Sequence, residues 1–79
     1  MRHFITHVRK DNQNNIIAVK TTNLALHTHE VVSMIKNQNY LFFSWDGIKQ
    51  AQVGVYDNKW IRSHADGVWT NNLDNLPRF

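Results

Sequence analysis

Cysteine is absent from this 79-residue chain. That removes disulfide frameworks, zinc–thiolate sites and thiol nucleophiles together. Proline occurs once, at Pro77, and the three glycines, Gly47, Gly54 and Gly67, are dispersed, so no glycine-rich loop cradles a phosphate. Glutamate also occurs once, at Glu30. The aspartates stand beside Asn or Gly, four of them in Asp11-Asn12, Asp46-Gly47, Asp57-Asn58 and Asp66-Gly67, where short acidic side chains make turns rather than acid–base pairs. No apolar run approaches the ~20 residues of a membrane span, and MRHFITHVRK has no signal-peptide pattern. The expectation is a cytoplasmic protein with no membrane partner.

What the chain does contain is aromatic area: three Trp, four Phe and two Tyr within a hydrophobic fraction of 42%. That is too much for a disordered chain. The length sets a single domain, residues 1–79, and a chain this short buries only roughly 60–65% of its unfolded surface. Large rings and self-association are two ways to offset so small a core. The net charge of +3, with a pI near 9.6, is a mild excess that permits an anionic partner.

Residues 2–9 alternate, with Phe4, Thr6 and Val8 on one side and His3, Ile5, His7 and Arg9 on the other. The polar Asp11–Asn15 cluster joins this run to the β-branched run 16–22, which predicts a hairpin. Thr28 reads as an N-cap, Glu30 suits the first turn, and Val31, Met34 and Ile35 form one apolar stripe, so a helix is predicted over 28–37. Tyr40 to Trp45 is apolar on both faces and reads as a central or interfacial strand. Asp46-Gly47 suggests a type I′ turn into a strand near 50–56, Asp57-Asn58 turns into 59–64, and Asp66-Gly67 turns into 68–70. Asn72 is placed to cap a last helical turn, with Leu73 and Leu76 on one side and Pro77 closing it. The resulting fold class is α+β: an antiparallel sheet of about five strands with one helix on a face, in the order β-β-α-β-β-β plus a short C-terminal helical turn.

Several of these segments occur together in a recognisable pattern: Ile5-Thr6-His7-Val8-Arg9-Lys10, Ile16 to Lys20, Val31-Val32 to Lys36, Val53 to Val55, Trp60-Ile61-Arg62-Ser63, Asp66-Gly67, Asn71-Asn72-Leu73 and Leu76-Pro77. Over nearly its whole length the chain resembles a family of small bacterial proteins catalogued only as a domain of unknown function. The resemblance implies a complete domain and brings no activity, substrate or cofactor.

The candidate chemistry is sparse. His3 and His7 chelate a metal only on a helix; on a strand they stand ~13 Å apart. His27 and His29 flank Thr28 at the helix entrance, where a third ligand could meet them, but Glu30 is the one carboxylate neighbour in the pattern, and neither a metal nor a cofactor is expected. Ser63 and His64 are adjacent on a strand and face opposite ways, so they form no dyad. The expectation is a protein without enzymatic activity.

Binding is better represented. Trp60, Arg62 and His64 share one strand face, and Trp69 falls opposite His64 if Asp66-Gly67 makes a two-residue turn. Arg9, Lys10 and Lys20 lie near the ends of the first hairpin. These seven residues are the candidate binding set. The aromatic strand carries more apolar area than one helical stripe covers, which points first to a protein partner or to a second copy in a homodimer. The alternative is nucleic acid, with bases stacked on the aromatic and cationic face. A structure separates the two by showing whether cations gather beside the exposed rings or an apolar patch lies bare.

Overall fold

The computed structural model describes residues 2–65, 68–70 and 72–79, with Ala65 and residues 68–70 described by backbone only. The elements are β1 (Arg2–Lys10), β2 (Ile16–Thr21), β3 (Ala25–His27), α1 (Thr28–Gln38), β4 (Leu41–Trp45), β5 (Gln50–Tyr56), β6 (Trp60–Ala65) and β7 (Val68–Thr70). The strands form one sheet in the order β3-β2-β1-β4-β5-β6-β7. The α+β class holds, whereas the expected all-antiparallel sheet of about five strands does not. The sheet is mixed and has seven strands, because β4 pairs with β1 in parallel, Arg2 opposite Leu41 through Ile5 opposite Ser44. The reason is the helix. After the β1-β2-β3 meander the chain points the same way as β1; α1 then carries it across to the far side of β1, where it resumes the same direction. Strands β3 and β7 have three residues each, too few to set a visible alternation.

Strand β1 also departs from simple alternation. Ile5 pairs with Thr21 and His7 with Lys20, so Thr6 is an extra residue on β1; a second shift falls between Arg9 and Lys10, opposite the Ala18–Ile16 stretch. The bulge at Thr6 puts Ile5 and Val8, three apart, on the same side of the sheet, both fully buried. The expected grouping of Val8 with Phe4 and Thr6 is therefore corrected: Phe4 and Thr6 are half-buried on the other face.

The core joins Ile5, Val8, Val19, Phe42, Val53 and Ile61 of the sheet to Val31 and Val32 of α1, with Leu73 and Leu76 from the C-terminal segment. The helix packs on β2 and β3 at one side of the sheet and on β5 and β6 at the other. His27, not Thr28, stands at the N-cap position, where its amide donates to the Glu30 carboxylate at 2.9 Å. Thr28 is turned inward, its hydroxyl donating to the Ile16 carbonyl at 2.7 Å. At the other end Asn39 adopts the left-handed conformation (φ 56°) and the Tyr40 amide returns to the Met34 carbonyl.

Two turns exchange the expected roles. Asp57 (φ 55°) and Asn58 (φ 60°) are both left-handed, the geometry of a type I′ turn. Asp46-Gly47 instead belongs to a four-residue loop between the paired Trp45 and Gln50. There the Asp46 carboxylate accepts the amides of Ile48 and Lys49 at 2.8 and 2.7 Å. Asp66-Gly67 lies outside the described residues. No helix among those described is long and apolar enough to cross a membrane.

The C-terminal segment closes the domain. Residues 72–75 form a turn, the Leu76 amide bonds the Leu73 carbonyl, and Leu73 and Leu76 are 1% and 2% exposed. Rather than a cap from Asn72, the anchoring contact is the Leu73 amide donating to Ser63 Oγ at 2.9 Å. The Val8 amide then donates to the Pro77 carbonyl, and Val8 bridges Arg78 in parallel. The tail thus continues along β1 past the point where β4 has left it.

Candidate binding face

Register across the sheet defines the surface opposite the helix. Phe4 stands beside Phe43, Phe43 beside Gln52, Gln52 beside His64, and His64 beside Trp69. One row of side-chain positions therefore crosses β1, β4, β5 and β6 on the outward face, and the backbone register continues it to Trp69 of β7. Arg2 and Leu41, Trp45 and Gln50, Gly54 and Arg62, and Tyr56 and Trp60 are the flanking pairs. The inward positions between them, Phe42, Ser44, Ala51, Val53, Ile61 and Ser63, are all buried. The outward ones whose side chains are described, Trp69 not being among them, are exposed or half-buried.

This face is aromatic, and its rings carry cations. The Phe4 and Phe43 rings stack at 5.7 Å between centroids. The Arg2 guanidinium lies 5.8 Å from the Phe43 centroid, that of Arg62 lies 4.2 Å from Tyr56, and the Lys59 ammonium lies 5.3 Å from Trp60. None of the seven strands contains an aspartate or glutamate, whereas Arg2, Arg9, Lys10, Lys20 and Arg62 lie within them. Asp11, Asp46 and Asp57 are in loops, Glu30 is in the helix and Asp74 is in the C-terminal segment.

Two hollows interrupt the surface. One, about 270 Å³, is mainly apolar and lies between Phe4, Thr22, Trp45 and Gln50. The other, about 190 Å³, is polar and lies where the Gln13–Ile16 loop meets Tyr56, Trp60, Arg62 and Asp74.

The seven candidate residues divide into four groups. Trp60, Arg62 and His64 are together on the outward face of β6, as their alternation requires. The backbone of Trp69 is opposite His64, while its side chain lies outside the description. Arg9 and Lys10 are turned to the C-terminal segment: Arg9 Nε donates to the Phe79 carbonyl at 3.1 Å, its guanidinium lies 4.6 Å from the Phe79 ring, and Lys10 Nζ is 3.4 Å from the Asp74 carboxylate. Lys20 is exposed on β2 opposite His7. Arg2, Phe4, Phe43, Trp45, Tyr56 and Lys59 were not among the candidates. The i+2 spacing of Leu41, Phe43 and Trp45 held the signal, since it marks one face of a strand whose other face carries Phe42 and Ser44.

The histidines have other surroundings. His3 stacks on Phe42 at 5.0 Å and meets Tyr40 edge-on at 5.6 Å. His7 Nδ1 is 2.9 Å from the Thr6 hydroxyl. His27 and His29 stack with each other at 5.4 Å. Among the described residues no three His, Asp or Glu side chains come together.

The loop carboxylates are the groups with altered acidity. Asp11 is held below the ordinary carboxylate range by the Asn15 amide, with the Gln13 amide adding to it. Asp46 is lowered by the Lys49 amide first and the Ile48 amide second.

The architecture is that of a small α+β domain, one sheet face covered by its helix and the other turned outward. The model of the family described as protein of unknown function (DUF3892) matches residues 4–77, and the chain belongs to that family. No curated protein matches the chain, and no solved structure does.

Proposed function

We propose that this domain is a non-enzymatic binding module whose outward sheet face holds single-stranded nucleic acid. The observation carrying this reading is a sheet without a single carboxylate, whose exposed face presents Arg2, Lys20 and Arg62 among Phe43, Tyr56 and Trp60. Bases stack on aromatic rings and guanidinium planes, while cations between the rings neutralise phosphates. A strand carboxylate would repel the backbone at close range, and none of the described strands contains one. Lys59, over the Trp60 ring at the β5–β6 turn, extends the cationic track by one residue.

Four exposed cations, Arg2, Lys20, Lys59 and Arg62, allow three or four phosphate contacts. For single strands that corresponds to a log–log salt slope of roughly −2 to −3, or a twenty- to fiftyfold loss of affinity from about 50 to about 200 mM salt. Fluorescence anisotropy with a labelled single strand of about twelve nucleotides measures it. Absence of binding at the lower salt, or binding indifferent to salt, overturns the proposal.

A second reading, a protein partner or a second copy, is favoured by one end of the same face. There Phe4 and Trp45 border an apolar hollow, and Ile48, in the loop that Trp45 leads into, is 84% exposed. Light scattering separates the readings. A concentration-dependent dimer that ignores oligonucleotide supports the second, and a monomer that binds oligonucleotide supports the first.

A further inference from the structure

The polar hollow at the β6 edge is built differently from the rest of the face. Strand β7 pairs with residues 63–65, and among the described residues no strand lies beyond the edge of β6 before Ser63. The β1–β2 loop and Asp74 come up to that edge. The loop is fixed in shape: the Asp11 carboxylate accepts the amides of Gln13 and Asn15, both at 2.9 Å, and Asn14 is held left-handed at φ 67°. Asn15 also turns its own side chain to Asp11. The side-chain amides of Gln13 and Asn14 have no hydrogen-bond partner among the described residues. Across the hollow stand Trp60 and Arg62, and Asp74 lines the same space with one carboxylate oxygen on Lys10.

We infer that this hollow seats a single base of the bound strand, and that it selects bases bearing an exocyclic amino group. The inference rests on reading the outward face as a nucleic-acid surface. The donors and acceptors fix the polarity. Asp74 repels a phosphate but accepts from an amino N–H, while Arg62, at the outer wall, suits the phosphate that follows the base. The planar group lies against Trp60 and the Arg62 guanidinium, both of which stack bases. Gln13 and Asn14 each offer a carbonyl and an NH₂ to the base edge, the group type that reads nucleobases in pairs of bonds. A thymine presents a carbonyl where cytosine presents its amino group, and it leaves Asp74 facing an oxygen.

Cytosine and thymine are close in size, so oligodeoxycytidylate and oligodeoxythymidylate of about twelve nucleotides are the discriminating probes. Anisotropy at about 50 mM salt should show the cytidylate bound roughly tenfold more tightly, the scale of one good base contact. The variant Gln13→Ala/Asn14→Gly deletes both amides while glycine keeps the left-handed backbone. It should reduce the difference to under about twofold, with cytidylate losing the greater part of the affinity, and leave thermal stability unchanged. Asp74→Ala should move the ratio the same way. Equal affinity for both oligomers in the parent protein overturns the selective site and leaves the general nucleic-acid reading intact. Failure of both oligomers to bind overturns that reading itself. Free cytidine monophosphate competing at the concentration of the oligomer overturns the strand-borne base in favour of a lone nucleotide.

Discussion

The amide of Leu73 donates to the hydroxyl of Ser63 across 2.9 Å, and both residues are buried to 1% exposure or less. One side chain on β6 thereby fixes where the C-terminal segment crosses the core. Ser63→Ala removes the acceptor and leaves a buried N–H with nowhere to turn, a loss of about 1–3 kcal/mol. For a domain of this length that is a fall in Tm of roughly 4–24 °C. Differential scanning calorimetry measures it. An unchanged Tm means that the segment is held without this bond.

Leu73 and Leu76 then do the packing that the bond directs. Each side chain joins the same cluster as Ile5, Phe42 and Val53. Leu73→Ala and Leu76→Ala should each cost about 2–5 kcal/mol in urea unfolding, for lost transfer energy and the cavity left behind. Leu→Met at either position keeps most of the volume and should cost under about 1.5 kcal/mol. If both alanine variants unfold with the parent protein, the segment is an appendage and not part of the core.

The pairing of a helical turn with two core leucines was legible in the sequence because Leu73 and Leu76 stand three apart before a proline that ends the turn. The helix was legible for a similar reason, its apolar stripe and first-turn Glu30 needing no tertiary information. The direction of β4 was not, since a strand's residues carry no mark of whether its neighbour runs parallel. The pairing of β1 with β4 depends on where α1 delivers the chain. The bulge at Thr6 was hidden because alternation is the only signal for facing, and one extra residue inverts it for everything beyond. That inversion separated Val8 from Phe4. On the binding face, Trp60, Arg62 and His64 came from alternation within a single strand. Their company with Phe43 and Phe4 needed the strand order. The engagement of Arg9 and Lys10 with residues 74 and 79 is a contact across most of the chain length, which no local pattern encodes.

Acid should protonate the two loop carboxylates and release the amides they hold. Asp11 and Asp46 are both more acidic in the folded protein than in an unfolded chain, through backbone amides that bond the charged form. A depressed folded-state pKa contributes stability above the unfolded carboxylate range, and that contribution is lost as pH falls through the folded value. Tm should therefore decline on acidification from the ordinary carboxylate range downward. The decline should be shallower in Asp11→Ala and in Asp46→Ala, each compared with the parent at every pH. Parallel curves for parent and variants would show that neither turn is tied to its carboxylate.

The cations of the sheet should divide by what they touch. Arg9 and Lys10 are spent within the chain, on Phe79 and Asp74, whereas Arg2 and Arg62 lie exposed over aromatic rings. Neutralising a residue that contacts a phosphate removes about 0.7 from the salt slope for a single strand. Arg2→Gln and Arg62→Gln should each flatten the slope by that amount and cost at most about 1 kcal/mol of stability, the worth of an exposed cation–π contact. Arg9→Gln should leave the slope alone and lower Tm, since it loses both a charge-assisted hydrogen bond and a ring contact at the C-terminal seam. Lys10→Gln should also spare the slope, with a smaller effect on Tm because its partner Asp74 is 47% exposed and such pairs contribute about 1 kcal/mol or less. Salt titrations and melting curves on the four variants supply both readouts. The opposite division, with Arg9 and Lys10 governing the slope, would move the binding surface from the outward sheet face to the end of β1.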